Sequence, residues 1–323
     1  MGDIIHAMIA LQFIKQKFPT AQIDWIVEKS FAQVLEHNPD IRSILPLQLK
    51  SIKKDKSEIF NQYKLVKKYA QTKYDVIIDA QGLIKSALVA FLIKKSNPQA
   101  TLYGFSKSSI RENVASFFYD NKIEIAYNEN TIDRNIAILC RPLNISVDSQ
   151  EIINKHKFLY FPPTISQLQQ PYNLFVIGST WESRNYPKEK FVEIANTLKV
   201  HTYIVWGTQE EYDKATWMEK QSQYLDILPK GNLNNLKRAI ANSQLVIGND
   251  TGPTHMAWGL NIPSITIFGP TPINRIYITP INKAIKSHSK INHYKLNKND
   301  FSIGEISVEA IVKLAIDIKE KNV

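Results

Sequence analysis

The chain has a single cysteine, Cys140, so it can close no disulfide within itself and offers no cysteine cluster to a metal, as suits a reducing compartment. Nor does it contain an apolar run approaching the roughly 18 to 20 residues that cross a bilayer. The longest candidate, Ala87 to Ile93, has the length of a helix core. No basic leader followed by a long apolar stretch and a small-residue cleavage site opens the sequence, which makes the cytoplasm the simplest address. A shortage of apolar residues, the mark of disorder, is not seen: 44% of the 323 residues are hydrophobic, enough to give one large or two ordinary domains full cores. The remaining shortfall is acidic. Thirty Asp and Glu stand against 40 Lys and Arg, and the net charge of +10 favours a polyanionic partner such as nucleic acid, anionic lipid or a phosphorylated substrate. Lysines 50, 53, 54, 56, 64, 67 and 68 concentrate that excess against only Asp55 and Glu58, as a cationic stripe or as an ordinary solvated helix face.

What is present is an alternation of short β-branched runs with longer amphipathic segments, the pattern of parallel sheets covered by helices. In the first half the strands are predicted at Gln22 to Val27, Arg42 to Pro46, Asp75 to Asp79 and Thr101 to Gly104, with helices at Asp3 to Lys17, Lys56 to Gln71 and Leu83 to Lys94. The polar, proline-bearing stretch Glu151 to Pro171 reads as the passage to a second domain. There the strands are Asn173 to Ile177, His201 to Trp206, Leu225 to Leu228, Leu245 to Gly248 and Ser264 to Phe268. The matching helices are Lys188 to Leu198, Glu210 to Gln221, Leu233 to Ala241, Thr254 to Gly259 and a last one at Ser307 to Glu320. The expected domains are residues 1–155 and 156–323, with the last helix packing back on the first domain. One strand is missing from this scheme. A helix that begins at Asp3 should follow a central strand, whose removal leaves two neighbours with unpaired edges, and about ten apolar residues are expected ahead of the recorded start.

The polar groups that could do chemistry gather at predicted strand ends. Gly248 to His255 lies between a strand and a helix, where Gly252 lets backbone approach a phosphate and the amides from Thr251 to Thr254 open a helix that attracts an anion. Plain helix capping by Asp250 or Thr251, with Pro253 in the first turn, is the alternative. Phe268 to Pro272 follows the next strand and offers Thr271; Gly178 to Pro187 ends the first strand of this half with Ser179, Thr180 and Arg184, which could pin phosphate oxygens. Trp206 to Glu211 ends the second strand, and a carboxylate there could hold ribose hydroxyls. Near the start, Asp3 is placed to act as a general base or merely to complement the helix dipole, with His6 three residues on along the same face. Gln81 and Lys85 follow another strand end, and Arg111 could meet an anion or pair with a neighbouring carboxylate.

Taken together, Gly2 to His6, Asp24 to Glu28, Asp79 to Ser86, Arg111 to Tyr119, Asn249 to His255 and Phe268 to Thr271 resemble the bacterial heptosyltransferases of lipopolysaccharide inner-core assembly, in glycosyltransferase family 9. Asp24-Trp25-Ile26-Val27-Glu28 and Asp79-Ala80-Gln81-Gly82 are closer to the heptosyltransferase I group than to II. The resemblance runs from residue 1 to about residue 275. It implies a GT-B fold of two Rossmann-like domains with parallel sheets facing across a cleft, and an inverting transfer that requires no metal or other cofactor. ADP-L-glycero-β-D-manno-heptose is the implied donor and Kdo of Kdo-lipid A the implied acceptor.

By position in the family's motifs, Asp3 would be the general base, Asp250 and His255 would hold heptose hydroxyls, and Thr251, Gly252 and Pro253 would surround the diphosphate. Ser179, Thr180, Arg184 and Thr271 would neutralise it, and Glu211 would take the ribose. Gly2, His6, Lys50, Lys53, Lys54, Gln81, Lys85 and Arg111 would face the acceptor. The lysine stripe would then meet acidic Kdo and lipid A phosphates as a peripheral contact on the cytoplasmic face of the inner membrane. Two departures stand out: the family has a strand and a short polar turn before Gly2-Asp3, and often a lysine where Arg184 stands. Other readings are a heptosyltransferase II-like or other nucleotide-sugar transferase of the same fold, or a non-enzymatic polyanion-binding protein. No helix-turn-helix, zinc or RNA-module signature supports nucleic acid as the partner.

Overall fold

The computed structural model of the chain describes residues 1–163 and 168–320, with all of their side chains except that of Lys53. Residues 164–167, within the stretch expected to join two domains, lie outside the described residues. Two compact units are formed, one by residues 6–152 and the other by residues 1–5 together with 153–323.

The elements up to residue 153 are α1 (Gly2–Met8), α2 (Ala10–Lys17), β1 (Asp24–Glu28), α3 (Ala32–Leu35), β2 (Ser43–Leu47), α4 (Glu58–Tyr69), β3 (Val76–Ile78), α5 (Ile84–Ser96), β4 (Thr101–Phe105), β5 (Asn121–Ile123), α6 (Thr131–Cys140) and α7 (Ser149–Ile153). The single helix expected from Asp3 to Lys17 is interrupted at Ile9. All pairing is parallel, but it forms two separate sheets, β1–β2 and β3–β4–β5. β1 is fastened to β2 by more than its ladder. The Asp24 carboxylate takes two hydrogen bonds from the Arg42 guanidinium and one from the Tyr74 hydroxyl at 2.8 Å. Burial works to raise the Asp24 pKa, yet these partners hold it below the ordinary carboxylate value.

At the end of β3 the buried Asp79 organises the following turn. It accepts from the amides of Gln81 at 2.9 Å and Gly82 at 3.2 Å, from the Ser86 hydroxyl at 2.9 Å and from the Tyr119 hydroxyl at 2.8 Å. Burial nevertheless raises its pKa. Gly82 adopts φ +66°, a conformation that suits glycine, and so lets the chain turn from β3 into α5.

The second unit contains β6 (Asn173–Val176), α8 (Lys188–Leu198), β7 (Thr202–Val205), α9 (Gln209–Glu219), β8 (Leu225–Ile227), α10 (Leu233–Ala241), β9 (Val246–Asn249), α11 (Gly252–Gly259), β10 (Ser264–Phe268), β11 (Asn282–Lys286) and α12 (Val308–Glu320). Its six strands lie in the order β11-β10-β9-β6-β7-β8, all parallel. β6, β9 and β10 are buried along their whole length, as expected of central strands with helices on both faces. The expectation that the last helix packs on the first domain gives way to a different arrangement. Ile311, Val312, Ala315 and Ile318 of α12 belong to the core of this unit, with Phe191 and Ile194 of α8.

α11 is held from behind. The buried Lys155 ammonium donates to the Trp258 carbonyl at 2.6 Å and to the Asn261 side chain, and the Asn261 amide donates back to the Lys155 carbonyl at 3.1 Å. A cation at a helix carboxyl end complements the dipole, while burial brings the Lys155 pKa down to about 7. In front, β9 approaches β6 so closely that a β-carbon on Gly248 would lie 2.5 Å from Cβ of Val176 and 2.9 Å from its carbonyl oxygen. Gly248→Ala is therefore expected to push the two strands apart and lower stability by about 1 to 3 kcal/mol. A denaturant midpoint equal to that of the wild type would contradict this packing.

Candidate functional site

In the six-stranded sheet the chain order reverses between β9 and β6, because β6, β7 and β8 run outward one way and β9, β10 and β11 the other. Open α/β sheets bind ligands at the carboxyl ends of strands beside such a reversal. The loop after β9 is tied to the loop after β6 through Asn249, which is fully buried. Its side-chain oxygen accepts from the Tyr186 amide at 3.0 Å and its nitrogen donates to the Ile177 carbonyl at 2.7 Å. Thr254 returns the chain to the same point by donating to the Asn249 carbonyl at 2.7 Å.

Asp250, 2% exposed, is the centre of the site. One carboxylate oxygen lies 3.1 Å from Nε2 of His255, and the other accepts from Nη2 of Arg184 at 2.9 Å. The same Arg184 nitrogen donates to the Asp250 carbonyl, and Nη1 of Arg275 stands 3.7 Å from the carboxylate. Burial acts to raise the Asp250 pKa, but the His255 hydrogen bond and the charges of Arg275 and Arg184 outweigh it and hold the group well below the usual carboxylate range. Arg184 is itself buried, which lowers its pKa; the Asp250 charge opposes that fall and the like charge of Arg275 adds to it.

One carboxylate thus faces two guanidinium groups, and the excess is positive. Beside it, Thr251 occupies the N-cap of α11 in an extended conformation, but no side chain caps the helix, and Pro253 stands in its first turn. The capping alternative is therefore not what this turn does, and its uncapped amides add to the attraction for an anion. Three buried polar atoms without a partner lie in the loops after β6 and β10: Nε of Arg184, Oγ of Ser183 and Oγ1 of Thr271. Each such group costs about 1 to 3 kcal/mol unless something bonds it. Their presence fits a site whose ligand completes them.

The other donor-side residues are placed around this cluster. Thr180 is exposed and accepts a long hydrogen bond of 3.5 Å from Arg184, while Ser179 donates to the Trp181 carbonyl at 2.8 Å. The Trp181 ring has the Arg184 guanidinium 5.5 Å and the Lys298 ammonium 4.9 Å from its centroid. Glu211 accepts from the amides of Gly207 at 2.6 Å and Thr208 at 3.3 Å as part of the α9 capping box, and its carboxylate lies over Gly178, where a β-carbon would be 1.8 Å from it. The Met1 side chain rests on the open face of Gly252, 2.5 Å from where a β-carbon would be; Asp3, two residues on, is exposed.

His6, one helical turn after the exposed Asp3, is 3% exposed, a degree of burial it shares with Asp250 and His255. Gly2 is half-buried, and Gln81, Lys85, Arg111, Lys50 and Lys54 are exposed. Lys50 rests its ammonium 5.0 Å above the Phe31 ring. Lys53 is placed by its backbone in a 3-10 turn, and its side chain lies outside the described residues. Arg111 forms no ion pair among the described residues, because the adjacent Glu112 carboxylate accepts instead from the Ile84 amide at 2.8 Å. Asn249, Ser183 and Arg275 are the participants that sequence reasoning passed over. Arg275 had no visible signal, since it follows Thr271 by four residues in a turn without periodicity.

Residues 62–303 match the sequence profile described as glycosyltransferase family 9 (heptosyltransferase). The chain belongs to that family. It is a glycosyltransferase. Among family 9 proteins, lipopolysaccharide heptosyltransferase 1 of Campylobacter coli is 32% identical, covering 98% of this chain and 96% of that protein, and its namesake of Escherichia coli strain K12 is 28% identical over 84% and 85%. The solved structure of E. coli heptosyltransferase WaaC with ADP superposes with a TM-score of 0.81 at 23% identity, covering 98% of this chain and 97% of that one. The family 9 protein of Veillonella parvula DSM 2008 gives 0.77 at 19%. The fold is the GT-B fold of these heptosyltransferases.

Because its folded pKa is depressed, Asp250 adds stability to this family 9 chain above the ordinary carboxylate value of 3.8, and that contribution is lost as pH falls toward the folded value. The denaturant midpoint of the wild type should accordingly decline between about pH 4 and pH 2. Asp250→Asn, which leaves the buried Arg184 without its counter-charge, should cost about 3 kcal/mol or more at neutral pH and flatten that acid decline. An unchanged acid slope in the variant would assign the decline to other carboxylates.

Proposed function

We propose that the protein transfers L-glycero-D-manno-heptose from ADP-heptose to Kdo of Kdo-lipid A, with inversion at the anomeric carbon. The observation that carries this reading is the cluster at Asp250: a buried carboxylate with an excess of guanidinium charge beside an uncapped helix start. That is an electrostatic match for a sugar diphosphate, whose anionic groups gain charge as the bond to the sugar breaks. The family supports the sugar, and structures of WaaC with ADP and with ADP-2-deoxy-2-fluoro heptose support the donor.

In this reading Asp3 takes the proton from the acceptor hydroxyl, the freed oxygen attacks the anomeric carbon, and the bond from that carbon to the diphosphate oxygen breaks with its electron pair leaving on ADP. Arg184, held by Asp250, and Arg275 meet the charge on the departing group, together with Thr271 and the amides of Thr251 and Gly252. Asp250 and His255 receive heptose hydroxyls, Pro253 shapes the turn, and Ser179 and Thr180 line the diphosphate. Glu211 takes the ribose with the carboxylate oxygen not spent on the α9 cap. Gln81, Lys85, Arg111, Lys50, Lys53 and Lys54 serve the anionic acceptor, and the lysines draw the protein to the cytoplasmic face of the inner membrane.

The test is incubation with ADP-heptose and Kdo-lipid A, read by mass spectrometry for one added heptose. Asp3→Ala is expected to lower turnover by about 100-fold or more, while ADP-heptose still raises the melting temperature as in the wild type. Loss of donor stabilisation in step with turnover would make Asp3 a structural residue.

A further inference from the structure

The run Ala87 to Ile93 reads as a helix core, yet only part of α5 is buried. Ala87, Val89, Ala90 and Ile93 face inward, while Ile84, Leu88 and Phe91, at i, i+4 and i+7, form an outer ridge where an amphipathic helix would carry polar residues. Leu88 is 46% exposed. The ridge does not stand alone. On one flank α5 packs against the 3-10 helix Asn113–Phe118, with Phe91 and Phe118 rings 5.5 Å apart, and that helix presents Phe117 at 75% exposure. On the other flank α5 packs against α4, which presents Phe60 at 70% exposure near its start. Single exposed apolar residues are ordinary; several large ones on three helices that pack against one another mark an interaction surface.

Around this surface cations outnumber acids. Lys56, Lys64 and Lys67 stand exposed on and before α4, Lys85 and Lys95 on α5, and Arg111 ahead of the 3-10 helix. None of the six forms an ion pair among the described residues. The nearby acids are fewer and hydrogen-bonded elsewhere: Glu112 accepts from the Ile84 amide, Asp55 from Ser57, Glu58 from Asn61 and Gln62, and Asp120 pairs with Lys94 at 3.3 Å. An apolar centre ringed by unpaired cations is complementary to an anionic lipid bilayer, where the apolar side chains enter the acyl boundary and the cations remain among the headgroups.

We propose that the outer ridge of α5, with Phe60 and Phe117, inserts into anionic membrane and makes the first unit a membrane anchor. The idea deepens the reading of a lipid-linked acceptor and rests on it for the choice of a bilayer over a protein partner. Charge alone gives a reversible, salt-sensitive contact. Inserted side chains add an attachment that salt does not remove.

The experiment is co-sedimentation of the full chain with vesicles of phosphatidylethanolamine and phosphatidylglycerol, at low salt and at about 0.5 M NaCl. Wild type should stay partly bound at high salt. The triple variant Phe60→Ser, Leu88→Ser, Phe117→Ser should lose about tenfold or more in partition there, with its melting temperature close to that of wild type because the three positions are exposed. As a second probe, Phe117→Trp should gain a blue-shifted emission component with vesicles that wild type lacks. Complete release of wild type by salt, equal partition of the triple variant, or an unshifted Phe117→Trp spectrum would each overturn the proposal. So would a wild-type dimer that the variant breaks without any change in vesicle binding, since the face would then cover a second copy. Turnover on detergent-dispersed Kdo-lipid A should be the same in variant and wild type. If neither transfers heptose, the transferase reading fails while the partition result still decides the anchor.

Discussion

The site in the second unit depends on one buried ion pair. Asp250 is 2% exposed, so its charge relies on Arg184 and His255, and the Arg184 contact brings the loop after β6 onto the start of α11. A buried charge that loses its partner costs several kcal/mol, far more than the fraction of a kcal/mol that a helix dipole offers a charge at its end. The pair therefore fixes the geometry and the dipole only tunes it. Once Arg184 is committed to Asp250 by Nη2, its Nε and the second guanidinium, Arg275, are what remain to face a ligand. Asn249 acts in the same direction with neutral hydrogen bonds, joining the ends of β6 and β9 across the reversal of strand order.

The first unit uses a comparable device at Asp79. Four donors converge on a carboxylate that burial leaves with a raised pKa, and the turn they hold presents Gln81 and Lys85 to solvent. In both units a buried carboxylate shapes a strand-end loop, but only around Asp79 is the neighbouring cation, Lys85, exposed; Arg184 is buried and Arg275 partly so. The chemistry at the two sites differs in charge balance. Asp79 is satisfied by neutral donors, whereas Asp250 is over-neutralised by guanidinium groups, so only the second carries a local positive excess at its carboxylate.

Much of this was legible in the sequence because it is written in strong local patterns. The central strands β6, β9 and β10 are short, mostly apolar runs, and α8 and α10 were placed at their observed ends, Lys188 to Leu198 and Leu233 to Ala241. The strands that escaped, Asn121–Ile123 and Asn282–Lys286, are edge strands with polar residues and partial exposure, so neither alternation nor an apolar run marks them. α6 also went unassigned, although its apolar face is plain once Asn130 is seen capping it. At the site, Asp250, His255 and Arg184 were visible as motif residues, but the fact that Arg184 bonds Asp250 rather than standing free was not. Sixty-six positions of sequence separate them, and only the parallel pairing of β6 with β9 brings them together. Helical spacing put His6 one turn after Asp3, but spacing describes the helix alone, and only the packing around it shows that Asp3 is exposed and His6 buried.

The surplus of positive charge shows most clearly why composition underdetermines function. A net charge of +10 is compatible with nucleic acid, lipid or phosphorylated substrate, and counting cannot separate them. Position can. In the second unit, Arg184 and Arg275 converge on a buried carboxylate beside a helix start, a geometry scaled to one small anion. In the first unit, Lys64, Lys67 and Lys85 are exposed and unpaired among the described residues, and they border apolar side chains rather than a groove of polar ones. A nucleic-acid surface interleaves cations with groups that bond bases and sugars. Cations around projecting Phe60, Leu88 and Phe117 have no such task, because an apolar ridge gains nothing from a phosphate backbone and gains substantially from hydrocarbon.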